Sequence, residues 1–81
     1  LNPAPVSGSS DRRVTPLSGP ALCRLLGRHG WGLLRVNGSH HIYGKPGEVA
    51  RLSVPCHGSK PLKIGLFRSL LKAASLTEAD L

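Results

Sequence analysis

At 81 residues the chain is a single domain at most, with room for only a small hydrophobic core. It carries 11 Lys and Arg against 4 Asp and Glu, and every one of those cations but only one acid, Glu48, lies between Arg12 and Thr77. That imbalance points to a polyanionic partner, RNA before an acidic protein. A membrane surface ranks last, because the three aromatics, Trp31, Tyr43 and Phe67, fall in different segments. No apolar run approaches the roughly 18 residues of a membrane span, no signal-peptide pattern is present, and Cys23 and Cys56 make no disulfide framework. The expectation is a cytoplasmic protein with reduced cysteines and no membrane association.

Residues 1–16 hold Pro3, Pro5 and Pro16 among Ser, Gly and the Arg12-Arg13 pair, without hydrophobic period, and read as a disordered arm ahead of a domain over 17–81. Ser18 is a helix N-cap, Pro20 suits the first turn, and Ala21, Leu22, Leu25 and Leu26 share one helical face up to His29, with Gly30 as the stop. Trp31 to Val36 predicts a strand, Asn37-Gly38 a turn, and His40 to Tyr43 a second strand. Lys45-Pro46-Gly47-Glu48 predicts another turn. A third strand follows, in which Ala50, Leu52, Val54 and Cys56 alternate with polar residues and His57 is the last position. Leu62, Leu66, Phe67, Leu70, Leu71 and Ala74 recur at helical spacing, and Thr77 caps a short last turn containing Glu78 and Asp80. The order α-β-β-β-α predicts an α+β fold, a three-stranded antiparallel sheet with both helices on one face, as in double-stranded-RNA-binding domains.

From Leu17 onward the chain resembles the HicA, or YcfA-like, toxins of type II toxin–antitoxin pairs. The resemblance is carried by Ser18-Gly19, His29-Gly30-Trp31, Gly38-Ser39-His40-His41-Ile42-Tyr43, Val54-Pro55 with His57-Gly58, and Lys63-Ile64-Gly65 leading into Arg68-Ser69-Leu70-Leu71-Lys72-Ala73-Ala74. The proline-rich arm lies outside the family pattern. The resemblance implies a metal-independent ribonuclease that cleaves messenger RNA, halts translation, and is silenced by a HicB antitoxin covering its active site. It also implies that the histidine after Gly-Ser, His40, is catalytic.

Cutting RNA without a metal requires a base for the ribose 2′-OH, an acid for the leaving 5′ oxygen, and cations for the charge on phosphorus. Histidine, as a residue type, titrates where both proton transfers are possible. The four acids, Asp11, Glu48, Glu78 and Asp80, are too scattered to hold Mg²⁺, so no cofactor or metal is expected. Strand alternation sends His40 and His41 to opposite faces, which leaves His57 or Tyr43 as the second proton carrier. Gly38 and Ser39 are substrate-positioning candidates, through close backbone approach and the serine hydroxyl. His41 reads as an exposed strand residue or RNA contact, and His29 as a helix-terminal cation. Cys56 reads as a buried thiol far from the only other cysteine, and Trp31 and Phe67 as core. Lys60, Lys63, Arg68 and Lys72, with no acid in reach, form a candidate phosphate track. Two other readings remain: a non-catalytic RNA-binding module of the same fold, and a pure interaction protein whose basic face meets an acidic partner.

Overall fold

The computed structural model describes residues 15–81, so nearly all of the expected arm lies outside the described residues. Helix α1 spans Gly19–Arg28 and starts as its sequence dictates: the Ser18 hydroxyl accepts from the Ala21 N–H at 3.2 Å, and Pro20 occupies the first turn, where no N–H is needed. Leu22, Leu25 and Leu26 form its buried stripe. Gly30, at φ +92°, ends it. There the Gly30 N–H reaches the Gly27 carbonyl at 3.3 Å and the Trp31 N–H the Leu26 carbonyl at 3.0 Å.

Strands β1 (Gly32–Asn37), β2 (His40–Gly44) and β3 (Leu52–Pro55) form one antiparallel sheet in the order β1-β2-β3. The first hairpin turns on Gly38-Ser39, one residue later than the sequence predicts, because Asn37 pairs with His40. Gly38, at φ +66°, takes the first loop position, where a left-handed residue matches the twist of the flanking strands. Between β2 and β3 the Glu48 N–H donates to the Lys45 carbonyl at 3.0 Å, with Gly47 at φ +86°, as the Pro-Gly pair demands. A bulge at Leu34 shifts the β1–β2 register, and Leu34 lies across Gly44, where a Cβ would collide with it.

Helix α2 spans Ile64–Ala73 and buries Phe67, Leu70 and Leu71. It closes like α1: the Leu76 N–H reaches the Leu71 carbonyl at 2.8 Å, and Ser75 takes the left-handed position at φ +61°. Thr77 then caps the 3₁₀ turn Glu78–Asp80, accepting from the Ala79 N–H while its own N–H donates to Asp80 at 2.8 Å. No described helix is long and apolar enough to cross a membrane.

Both helices cover the face of the sheet that carries Tyr43, Leu52 and Val54, and with Trp31, Leu62, Ala74 and Leu76 they enclose one core. The expected α+β fold is therefore the observed one. Three further details differ. Strand β3 ends at Pro55, which leaves Cys56 and His57 beyond the ladder; Cys56 instead donates its N–H to the Ser39 carbonyl at 2.8 Å. Leu66 stands 40% exposed rather than joining the helix core, because it lies at the margin of the α2 stripe, one turn before Leu70 and to one side of Phe67 and Leu71. On β1, Leu33, Leu34 and Val36 are each at least half exposed, as the strand is an edge that neither helix covers fully.

The two helix entries are pinned together. Ser18 and Pro61 form an antiparallel bridge, and the Leu62 N–H donates to the Leu17 carbonyl at 2.9 Å. At the same place Gly19 runs so close to β3 that a Cβ would strike the Pro55 carbonyl and the Cys56 backbone. Gly19→Ala is thus expected to cost about 1–3 kcal/mol in urea unfolding, since backbone on both sides must move; the same substitution at Gly27, which has open space around it, is expected not to destabilise.

Candidate active site

His40 opens β2 on the uncovered face of the sheet and is exposed. Its cross-strand partners are Asn37 on β1 and Pro55 on β3. His41 points the other way, paired with Val54 on the helix side; it is half-buried and its Nδ1 has no hydrogen-bond partner. The expectation of His41 as an exposed residue fails, because strand alternation sends it beneath the helices. Its separation from His40 holds.

The hairpin loop and the segment after β3 meet at Ser39. Its carbonyl takes the Cys56 N–H, and its Oγ lies 3.4 Å from His57 Nε2, a long hydrogen bond between exposed groups. His40 and His57 therefore flank one serine. Over Gly38 a Cβ would meet open space, so glycine is required there for its positive φ and also leaves the approach to Ser39 unobstructed. Tyr43, unlike His57, is buried in the core, and burial with a hydrogen bond to Cys23 pushes its phenol up to about 12.

The four predicted cations divide into two pairs. Lys60 and Lys63 border the same cavity as His57. Arg68 and Lys72 border a different hollow, with Leu71, Leu76 and Glu78, and Arg68 Nε lies 3.9 Å from Glu78 Oε2. The expectation that no acid reaches this set is thus corrected for Arg68, because the capped 3₁₀ turn returns Glu78 to α2. Two residues absent from the sequence-derived site share the face of His40: Asn37 directly across from it, and Arg35 across from Ile42. Only the hairpin register, offset by the bulge, reveals them. Arg51 turns back on its own loop, donating to the carbonyls of Glu48, Val49 and Ala50 at 3.2 to 3.4 Å. Lys45 sits 5.9 Å from the centre of the Trp31 ring, a cation–π contact.

Cys56 is not far from the other cysteine in space. The fold brings Cys23 Sγ to 3.7 Å from Cys56 Sγ, since α1 packs on the end of β3. Both thiols are free and half-buried. Burial and the hydrogen bond to Cys23 push the Cys56 thiol up to about 11, the opposite of what a nucleophile needs. Among the described residues no three His, Cys, Asp or Glu side chains stand together as metal ligands.

An α+β domain with three antiparallel strands, helices on one face and a histidine-bearing hairpin open on the other is the class this geometry defines. A family model described as the HicA toxin of bacterial toxin-antitoxin matches residues 19–76, and the chain belongs to that family. No curated protein sequence matches it.

Two expectations follow from these local environments. Lys63 is the N-cap of α2 and supplies no side-chain acceptor; Lys63→Asp is expected to raise stability by about 0.5–1 kcal/mol in urea melts. The second concerns alkaline pH. Folding raises Cys56 from 9.0 to about 11 and Tyr43 from 10.0 to about 12, so their neutral forms are favoured. The stability they contribute is complete below pH 9 and is lost as the pH rises through 11 and 12. Urea midpoints should fall across that interval, and less steeply in Cys56→Ala than in the parent.

Proposed function

We propose that the chain is a metal-independent endoribonuclease of a toxin–antitoxin pair, an mRNA interferase that cuts messenger RNA with His40 and is held silent by a HicB-like antitoxin seated over that face. The observation that carries the reading is the Ser39–His57 contact, which sets a second imidazole beside the residue that precedes His40.

In this reading one imidazole takes the proton from the ribose 2′-OH as O2′ attacks phosphorus, and the other gives a proton to the departing O5′. The P–O5′ bond breaks as the P–O2′ bond forms, leaving a 2′,3′-cyclic phosphate and a 5′-hydroxyl end. His40, fixed on a strand, serves as the principal proton carrier; His57 serves as the second, oriented by Ser39. The 3.4 Å separation is compatible with that role, since hydrogen bonds of catalytic groups commonly tighten only with substrate bound. Lys60 and Lys63, beside His57, counter the charge on the phosphate, while Arg68 and Lys72 lie along a more distant stretch of the RNA backbone. Messenger RNA as target, a HicB-like partner and a cytoplasmic setting complete the proposal; an antitoxin partner is what membership of the family entails.

The experiment is cleavage of an RNA oligonucleotide in EDTA. His40→Ala is expected to lower the rate by about 10³-fold, and His57→Ala and Ser39→Ala by about 10²-fold and 10-fold, with unfolding midpoints near the parent's because all three side chains lie outside the core. Full activity in His40→Ala would overturn the assignment. Tight, salt-sensitive RNA binding by the parent with no product over hours would instead establish the binding-module reading.

A further inference from the structure

The cavity beside His57 has a volume of about 290 Å³ and a lining of two chemistries. Pro55, Pro61, Leu62 and Leu66 make an apolar wall; Lys60 and Lys63 make a cationic rim beside His57. Leu66 is the informative member. It belongs to a helix that buries Phe67, Leu70 and Leu71, yet it is withheld from that core and borders this hollow. The wall is also braced, since Pro61 bridges Ser18 and Leu62 is hydrogen-bonded to Leu17, which fixes it against the start of α1. Among the described residues Lys60 and Lys63 have no ion-pair partner.

A volume at the small end of ligand pockets, roughly 300–1,000 Å³, suits one nucleotide and not a duplex groove. Duplex RNA is gripped across broad surfaces by shape, whereas a hollow with an apolar wall and a basic rim accepts a base splayed out of a single strand. We infer that this cavity is a single-nucleotide subsite: one unstacked nucleotide of single-stranded RNA lays its base on Pro55, Pro61, Leu62 and Leu66 and its phosphate between Lys60 and Lys63, next to the phosphate that His40 and His57 address. The inference rests on the ribonuclease reading and assigns its substrate class. No Phe, Tyr or Trp lines the cavity and its one aromatic ring, His57, faces the phosphate in this proposal, so the base is held by burial and not by stacking, and discrimination among bases at this position is weak.

The test uses the full chain carrying His40→Ala, so that no cleavage is needed. Amide chemical shifts are followed during titration with adenosine 5′-monophosphate, adenosine and inorganic phosphate. The mononucleotide is expected to perturb residues 55–66 and to bind about 10-fold more tightly than either fragment, because only it engages wall and rim together. Lys60→Glu and Leu66→Asp, both at exposed positions, should each weaken it at least about 5-fold, with spectra showing an intact fold. Phosphate binding as tightly as the mononucleotide, or perturbations centred away from residues 55–66, would overturn the subsite, as would tight seating of an acidic peptide there without any mononucleotide binding. The two proposals fail separately. A chain that binds the mononucleotide here but never cuts RNA keeps the subsite; one that cuts RNA with the same KM in Leu66→Asp keeps the ribonuclease and loses the subsite.

Discussion

A single backbone hydrogen bond, from the Cys56 N–H to the Ser39 carbonyl, holds the site together. It extends the β2–β3 pairing by one step past the end of the ladder and ties the chain leaving the sheet to the tip of the first hairpin. Without it His57 would belong to a free loop. With it, His57 is held against Ser39, the residue before His40, and the polypeptide continues through Lys60 and Lys63 into α2. The bond relies on Gly19, whose missing side chain lets α1 press against Pro55 and Cys56 from behind. A packing constraint inside the domain thus fixes groups that face solvent.

The same region shows where stability has been left unclaimed. Helix α2 begins on a lysine, the wrong sign for the positive end of its dipole and unable to accept a hydrogen bond from it. Leu66 stays out of the core, and Lys60 and Lys63 have no ion-pair partner among the described residues. Each is a departure from what folding alone favours, and all three border one cavity. Departures that cluster in this way are characteristic of surfaces shaped by a ligand. At the other end of α2 the choices follow stability: a Schellman closure, a capping box on Thr77 and Asp80, and Arg68 set near Glu78.

The uncovered face of the sheet presents a second contrast. Beneath the helices the side chains of β2 and β3 are packed and largely apolar, and even the half-buried His41 and the thiol pair belong to that interior. Opposite them His40, Asn37 and Arg35 stand in a polar row, with the exposed Leu34 of β1 at its edge. An antitoxin that silences the protein as proposed would meet this row and this edge together. An edge strand also offers unpaired backbone groups to a partner, which a covered strand does not.

The element order, the caps at Ser18 and Thr77, the stop at Gly30, the turn at Gly47, and the core made by Leu22, Leu25, Leu26, Phe67 and Leu70 were legible in the sequence, because each follows from local backbone chemistry or from period. So was the separation of His40 from His41, which needs only the alternation of a strand. The turn at Gly38-Ser39, placed a residue early, shows the limit of that logic: Asn-Gly is a strong local signal, but pairing across the hairpin chose the register. Relations between distant segments were decided by the tertiary structure alone. It set His57 against Ser39, moved Tyr43 into the core, brought Cys23 to Cys56, gave Arg68 an acidic neighbour, and split one run of cations between two hollows. The reason is physical: local rules fix which way a side chain points from its own element, while what it meets depends on where the packed core places the other elements.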